Sequence, residues 1–405
     1  MSSTVSGPLE GITIVDMTSE LSGPYASRIM GDLGANIIKI EPPAGDGQRN
    51  SGPARQRSMG SQFLQTNRSK RSLAVDLKNE SGREVLLKLC ESADVLLYNV
   101  RRQAMARLEL AYEDVSKVNP RIVYCGVCGY GADGPYADMP AYDDVIQGMT
   151  AMPVLQARLN NGRPRYLPLN VVDRNSGLVL VQTVLAALLY RERTGHGQAV
   201  ELPLFETLAE YVLAEHMWGT TFVPPIAPME SLRVMNRWPL QTKDGYLCFW
   251  FARDEQYGRF WEAIGRPDVK ADERFRNRVN RNQHLVELLE LMGPELLKKT
   301  NAEWLEIFAR ADLPVMPMHT LETLMQDRHL REVGFFKVVE HPSEGPIMSM
   351  AVPSKWSRSK PVNTRHAPRI GEHTVEILRE AGFAQAEIDR LVKARAVFDA
   401  PTSKA

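Results

Sequence analysis

Asp173 stands in the segment LPLNVVDRNSGLVLVQTVLAALLYRERTG, between a short apolar run and a long one of helical character. A lone carboxylate there has two possible uses. It can cap the helix that follows by accepting a hydrogen bond from a free N–H of the first turn, a role Asn175 could also fill. It can also attack an acyl carbon, because an aspartate with its reference pKa near 3.9 is ionised at neutral pH. Val171 and Val172 read as the end of a strand, so the expectation is a strand-to-helix junction. A second acid, Asp143, follows Tyr142 in MPAYDDVIQ. It reads either as a solvated acid at a helix start or as a site carboxylate. Cys125 and Cys128 form a C-x-x-C in IVYCGVCGYG, but the run is β-branched and aromatic and no second ligand pair matches it. Buried thiols are expected there, and no metal site.

The elements that would hold these residues alternate as in a parallel sheet with helical crossovers. ITIVDM reads as a strand and GPYASRIMGDLG as a helix, with Pro24 near its start and Gly34 past its end. ANIIKIE, SLAVDL, DVLLYNV and RIVYCGVCG read as further strands, with a long polar loop after the second and helices at ESGREVLLKLCESA and Ala104 to Leu110. The pattern is α/β and Rossmann-like over 1–215. The prolines of GTTFVPPIAPMESLRV mark a linker, 216–235. A smaller α+β domain is expected over 236–326, opened by a hairpin around Asp244-Gly245. Helices then follow in DEQYGRFWEAIG, NRNQHLVELLELMGPELLKK and TNAEWLEIFARAD, the last begun by a Thr300/Glu303 capping box. Residues 327–405 are expected to rejoin the first domain.

Charge and composition exclude several classes. Lys plus Arg equals Asp plus Glu at 49 each, so the basic excess of a nucleic-acid binder is missing. Hydrophobic content of 43% is ordinary for a soluble chain. The polar N-terminus MSSTVSGPLEG lacks a signal pattern, and four cysteines suit a reducing compartment, so the expected location is cytoplasmic. Leu178 to Tyr190, the most apolar segment, is interrupted by Gln182 and Thr183 and reads as a buried helix too short for a bilayer. The first strand–helix junction, DMTSELSGPYAS, has one glycine where a dinucleotide site needs G-x-G-x-x-G, and no phosphate-binding G-x-x-x-x-G-K-[ST] occurs.

Five stretches together resemble the class III coenzyme A transferases, the family of formyl-CoA transferase and carnitine CoA-transferase. They are GPLEGITIVDMTSELSGPYASRIMGDLGANIIKIEPPAGD, NRSKRSLAVDLKNESGREVLLKLCESADVLLYN, NPRIVYCGVCGYGADGPYADMPAYDDVIQGMT, RERTGHGQAVELPLFETL and PRIGEHTVEILREAGF, in the family's order. The resemblance implies an acyl-CoA donor, a small carboxylic acid acceptor, coenzyme A as substrate and no permanently bound cofactor or metal. It also implies a homodimer of two interlocked ring-shaped subunits, with neither nucleic acid nor membrane as partner. Asp173 matches the family's nucleophile. Asn99, Lys78, Ala104 and Arg107 fall where relatives contact CoA, and Leu21, Ser22 and Val75 where they line the pantetheine and thioester region. Asp143 is similar in position to a glutamate at the formyl-CoA transferase site. Tyr142 replaces the histidine of the related α-methylacyl-CoA racemases, and tyrosine, with a pKa near 10, is a poor proton shuttle at neutral pH. Leu21 replaces an active-site glutamine, and a glycine-rich lid is missing, which speaks against oxalate and formate as the acid pair.

Overall fold

The computed structural model describes residues 7–159, 162–229, 237–361 and 365–400. Six strands come first in the chain: β1 (Thr13–Asp16), β2 (Asn36–Glu41), β3 (Lys70–Val75), β4 (Val95–Tyr98), β5 (Val123–Cys128) and β6 (Gln198–Pro203). Then follow β7 (Leu240–Gln241), β8 (Tyr246–Phe249), β9 (Val315–Pro317), β10 (Phe336–His341), β11 (Gly345–Met350) and β12 (Val397–Phe398). The main sheet runs β12-β3-β2-β1-β4-β5-β6, parallel throughout except for β12, which lies antiparallel to β3. The strands β1 to β4 are almost wholly buried, charged residues such as Lys39 and Lys70 included, because helices cover both faces of such a sheet. Ile14 pairs with Ile37 on one side and Val95 on the other, and all three are at most 1% exposed.

Strand order decides where a ligand can enter. From β1 the chain steps outward to β2 and β3, then returns to β4 on the opposite side of β1. The connections after β1 and β4 therefore diverge to opposite faces and leave a crevice at the carboxyl ends of those strands. This is the α/β, Rossmann-like expectation, met in strand order as well as in class.

Two compact units partition the chain, Met1–Tyr211 with Val333–Ala405, and Val212–Glu332. In the first, the returning segment completes the edge of the sheet: Val397 pairs with Val75, and Arg71 bonds Glu376 and Glu380 at 2.8 and 2.7 Å. The second has its own core of Phe260, Trp261, Leu288, Trp304 and Phe308. Its hairpin turns at Asp244-Gly245 as expected, with Leu240 opposite Leu247. The Thr300/Glu303 capping box is present, the Glu303 carboxylate accepting the Thr300 N–H at 2.8 Å. Positions 230–235 of the expected linker lie outside the described residues.

Four local expectations are corrected. Val171 and Val172 are not strand; they begin a helix, Val171–Thr194, and the preceding PRYLPL, irregular with a bend at Pro168 and Leu169, pairs with no strand among the described residues. That helix runs 24 residues, longer at both ends than the Leu178 to Tyr190 segment read as too short for a bilayer. By length and composition it is the one helix among the described residues able to cross a membrane, with 44% of the apolar window buried within the chain. One helix expected over NRNQHLVELLELMGPELLKK is two, Arg278–Gln283 and Leu285–Leu296. Cys125 is buried as expected, but Cys128, at the end of β5, is partly open.

Candidate active site

A cavity of about 680 Å³ opens at the crevice between β1 and β4. Its walls are the Ser19–Ser22 loop, the Asn99–Arg102 turn, the end of β5, the 137–144 loop, and Asn170 with Asp173 of the long helix. Each wall is fixed by a distinct interaction. Asn99 clamps the Ser19 backbone from both sides, its Oδ1 accepting the Ser19 N–H at 3.0 Å and its Nδ2 donating to the Ser19 carbonyl at 2.8 Å. Arg102 is held by Glu201 at 2.6 Å and donates to the Tyr130 carbonyl.

Beneath the Ser19–Ser22 loop lies a chain of buried charges contributed by strand residues whose partners come from the segment after β2 or from a neighbouring strand end. Lys39 of β2 meets Asp46 at 2.7 Å and donates to the Thr18 carbonyl at 3.0 Å. Asp46 in turn accepts the Glu20 N–H at 3.1 Å. Glu41 receives Arg49 through two bonds of 2.7 and 2.6 Å, and neither side chain is exposed. Lys70 reaches Asp16 at 3.2 Å, and burial pulls its ammonium down to about 7. Burial also pushes Asp16 up, but Lys70 and Lys39 outweigh it and leave the carboxyl below its ordinary value. These pairs set the height of the loop, in which Glu20 adopts φ 65°, a region that L-residues other than Asn and Asp rarely occupy.

Asp173 occupies the first turn of its helix and is not the cap. Asn170 is the N-cap, and no side chain of its own bonds the helix end. The free Asp173 N–H is instead satisfied from 30 residues away, by the Asp143 carboxylate at 3.0 Å. Gln147 donates to the other oxygen of Asp143 at 2.6 Å, so the acid is clamped and only 9% exposed. Burial, and then the like charge of Asp143, push the Asp173 carboxyl up to about 6. It stays mostly ionised at pH 7, yet poorly solvated, a good condition for a nucleophile.

Six of the residues singled out from sequence meet in this cavity: Leu21, Ser22, Asn99, Tyr142, Asp143 and Asp173. Tyr142 is 72% exposed at its rim. Four lie elsewhere. Val75 is buried in the sheet core at the end of β3, two strands from β1. Lys78 and Arg107 are exposed outside the cavity, and Ala104 is half-buried on the helix Arg102–Arg107. The sequence reading passed over Glu20, Arg101, Arg102, Asp144 and Asn170 and took Cys128 for a buried thiol, yet all six line the wall. Position could have found the first, since Glu20 adjoins Leu21. Among the described residues no three His, Cys, Asp or Glu side chains gather as a metal site.

The pattern of CoA-transferase family III matches residues 9–374. The chain belongs to that family. Over 398 residues it is 29% identical to the succinyl-CoA:glutarate CoA-transferase of Mus musculus, covering 95% of this chain and 89% of the relative. It is 33% identical over 325 residues to the acetyl-CoA:oxalate CoA-transferase of Acetobacter aceti, covering 77% and 81%. The crystal structure of Rv3272 from Mycobacterium tuberculosis is similar at a TM-score of 0.79 and 28% identity, over 92% of this chain and 99% of that one. The family III chain is thus an enzyme, a CoA-transferase, and its substrates are CoA thioesters.

Proposed function

We propose that the enzyme moves coenzyme A from an acyl-CoA to a carboxylic acid through covalent intermediates on Asp173. The observation that carries this reading is the half-buried Asp173 carboxylate facing the switch-point cavity, its backbone already anchored by Asp143. Exchange of CoA between two acids requires a carboxylate to attack a thioester. Asp173 attacks the donor carbonyl, and the C–S bond breaks to give a mixed anhydride and CoA thiolate. The thiolate attacks the aspartyl carbonyl, forming an aspartyl-CoA thioester and releasing the donor acid. The acceptor carboxylate then attacks this thioester, and the released thiolate takes the acyl group from the second anhydride, which regenerates Asp173. No proton need move. Both adducts are open to hydrolysis, so exclusion of water is part of the function. The relatives' names pair CoA with glutarate in one case and oxalate in another, so family membership fixes the transfer and not the acid.

Trapping tests the covalent route. Hydroxylamine or borohydride added during turnover is expected to modify the peptide carrying Asp173, only when acyl-CoA is present. A label on Asp143 or Glu20 instead would refute the assignment.

The pH profile follows from the same carboxylate. Only ionised Asp173 attacks, so transfer is expected to rise through pH about 6 and level off above it. Asp143→Asn removes a like charge, which favours the ionised form, so the acidic limb should move to lower pH. The asparagine Oδ1 can still accept the Asp173 N–H. A limb that moves to higher pH would contradict this coupling.

For the assembly, the reading is an interlocked homodimer. Leu178, Leu185, Leu189 and Tyr190 on the long helix are 36–53% exposed, an apolar face that a second subunit would cover. Threaded rings cannot separate while folded, so dissociation and unfolding should coincide across a dilution and denaturant series. A compact, active monomer in sedimentation would defeat this arrangement.

A further inference from the structure

We infer that a second cavity, lined by Arg49, Arg57 and Arg369, is a binding site for a phosphate-bearing small molecule other than the CoA substrate. It measures about 530 Å³, within the usual range for small-molecule sites, and all its residues belong to the larger unit. Neighbouring residues of the short helical turn Gly47–Asn50 serve the two cavities: Gln48 lines the one that holds Asp173, and Arg49 lines this one. No described residue lines both. The three guanidinium groups come from distant parts of the chain and are not in the same state. Arg49 is neutralised by Glu41 and held further by the Ser58 carbonyl at 3.3 Å and the Pro368 carbonyl at 3.0 Å. Arg57 is exposed and Arg369 half-buried, and neither side chain has a hydrogen-bond, ion-pair or ring partner among the described residues.

Among the described residues no carboxylate lines this cavity. Two acids adjoin the wall in sequence, and both are in use. Glu344 accepts the Gln56 N–H at 3.1 Å and the Ser343 hydroxyl at 2.8 Å. Glu372 accepts the Arg369 N–H at 2.7 Å and meets the His366 ring at 3.4 Å. Two like charges thus share one cavity without a counter-charge in its wall, an arrangement that an anion relieves. Gln56 and Ser58 add an amide and a hydroxyl beside the arginines, while Met59, Pro342 and Ile370 form an apolar side. A phosphate carries close to two charges at neutral pH and has oxygens enough for two guanidinium forks at once. The apolar side suits the organic part of a phosphate ester.

The test is a calorimetric titration of inorganic phosphate, at constant ionic strength, into the CoA-saturated full-length enzyme, so that every subsite for the phosphates of CoA is already filled. Arg57→Gln, Arg369→Gln and the double variant are titrated alongside. Neither arginine has a partner to lose among the described residues, so the four proteins should share one melting temperature without phosphate. The phosphate Kd should weaken about tenfold in each single variant, as for a lost charge-assisted bond, and the double variant should give no measurable heat. Phosphate should also raise the melting temperature of the wild type and not that of the double variant. A separate titration with CoA should give the same Kd in all four proteins. No phosphate binding to the CoA-saturated wild type, or equal binding to the double variant, would overturn the proposal. A CoA Kd weakened about tenfold by the substitutions would give these arginines to the CoA phosphates and overturn it as well. None of these readouts uses transfer, so they hold whether or not Asp173 carries the reaction.

Discussion

Replacing Asp173 by asparagine is expected to reduce CoA transfer by roughly three orders of magnitude or more, while the chain stays folded and still binds CoA. The two parts follow from different atoms. Transfer depends on the carboxylate, and an amide oxygen does not attack a thioester. The fold depends on the backbone N–H held by Asp143, which the substitution keeps. Losing a first-turn charge costs about 0.3–1 kcal/mol. An opposite effect is larger. The folded carboxyl, raised from 3.8 to about 6, binds its proton more tightly than the unfolded chain does. Stability therefore falls as pH rises between those values, and above about 6 the ionised group costs on the order of 3 kcal/mol. The neutral amide removes that cost, so at pH 7 the melting temperature should stay level or rise. Calorimetry beside a transfer assay checks both parts. Near-normal transfer, or a melting temperature lowered by the substitution, would return Asp173 to a structural role.

The second large effect lies beneath the site. Arg49→Ala should destabilise the larger unit by about 3–5 kcal/mol, because Glu41 would remain buried without its counter-charge. That is a sizeable part of the roughly 5–15 kcal/mol typical of a folded domain. Glu41 also accepts the Asp46 N–H at 3.0 Å, and Asp46 holds Glu20, so the cavity loop should loosen as well. The double substitution Glu41→Gln with Arg49→Met removes both charges and should recover part of the loss. Urea midpoints of the three variants measure it, and an Arg49→Ala cost under about 1 kcal/mol would show the pair to be dispensable.

Strands β1 to β5 were legible because short runs rich in apolar and β-branched residues alternate with helical stretches, and the Asp244-Gly245 turn because its dipeptide favours a hairpin. Val171 and Val172 misled because two β-branched residues after prolines look alike in a strand end and in a first helical turn. What fixed them as helix was Asp143, far away in sequence, supplying the bond that a local cap would have made. The site divided for a geometric reason. Residues following β1 and β4 flank the crevice, whereas β3 lies two strands away, about 10 Å at the usual strand spacing, which takes Val75 and Lys78 out of it. The buried charges of Lys39, Lys70 and Arg49 had no local sequence signal. Their partners, loop acids at Asp46 or strand-end acids at Asp16 and Glu41, meet them only once the sheet is formed.

The antiparallel pairing of β12 with β3 has a consequence for how the chain is made. Val75 leaves the ribosome more than three hundred residues before Val397, its neighbour in the sheet. Throughout that interval β3 is an open edge, a template for pairing with other nascent chains. The contiguous unit Val212–Glu332 can close as soon as it emerges, while the larger unit that begins the chain must wait for the last strand to arrive. The β3 edge thus stays without its β12 neighbour through most of the chain's synthesis, which is when it is most open to wrong pairing.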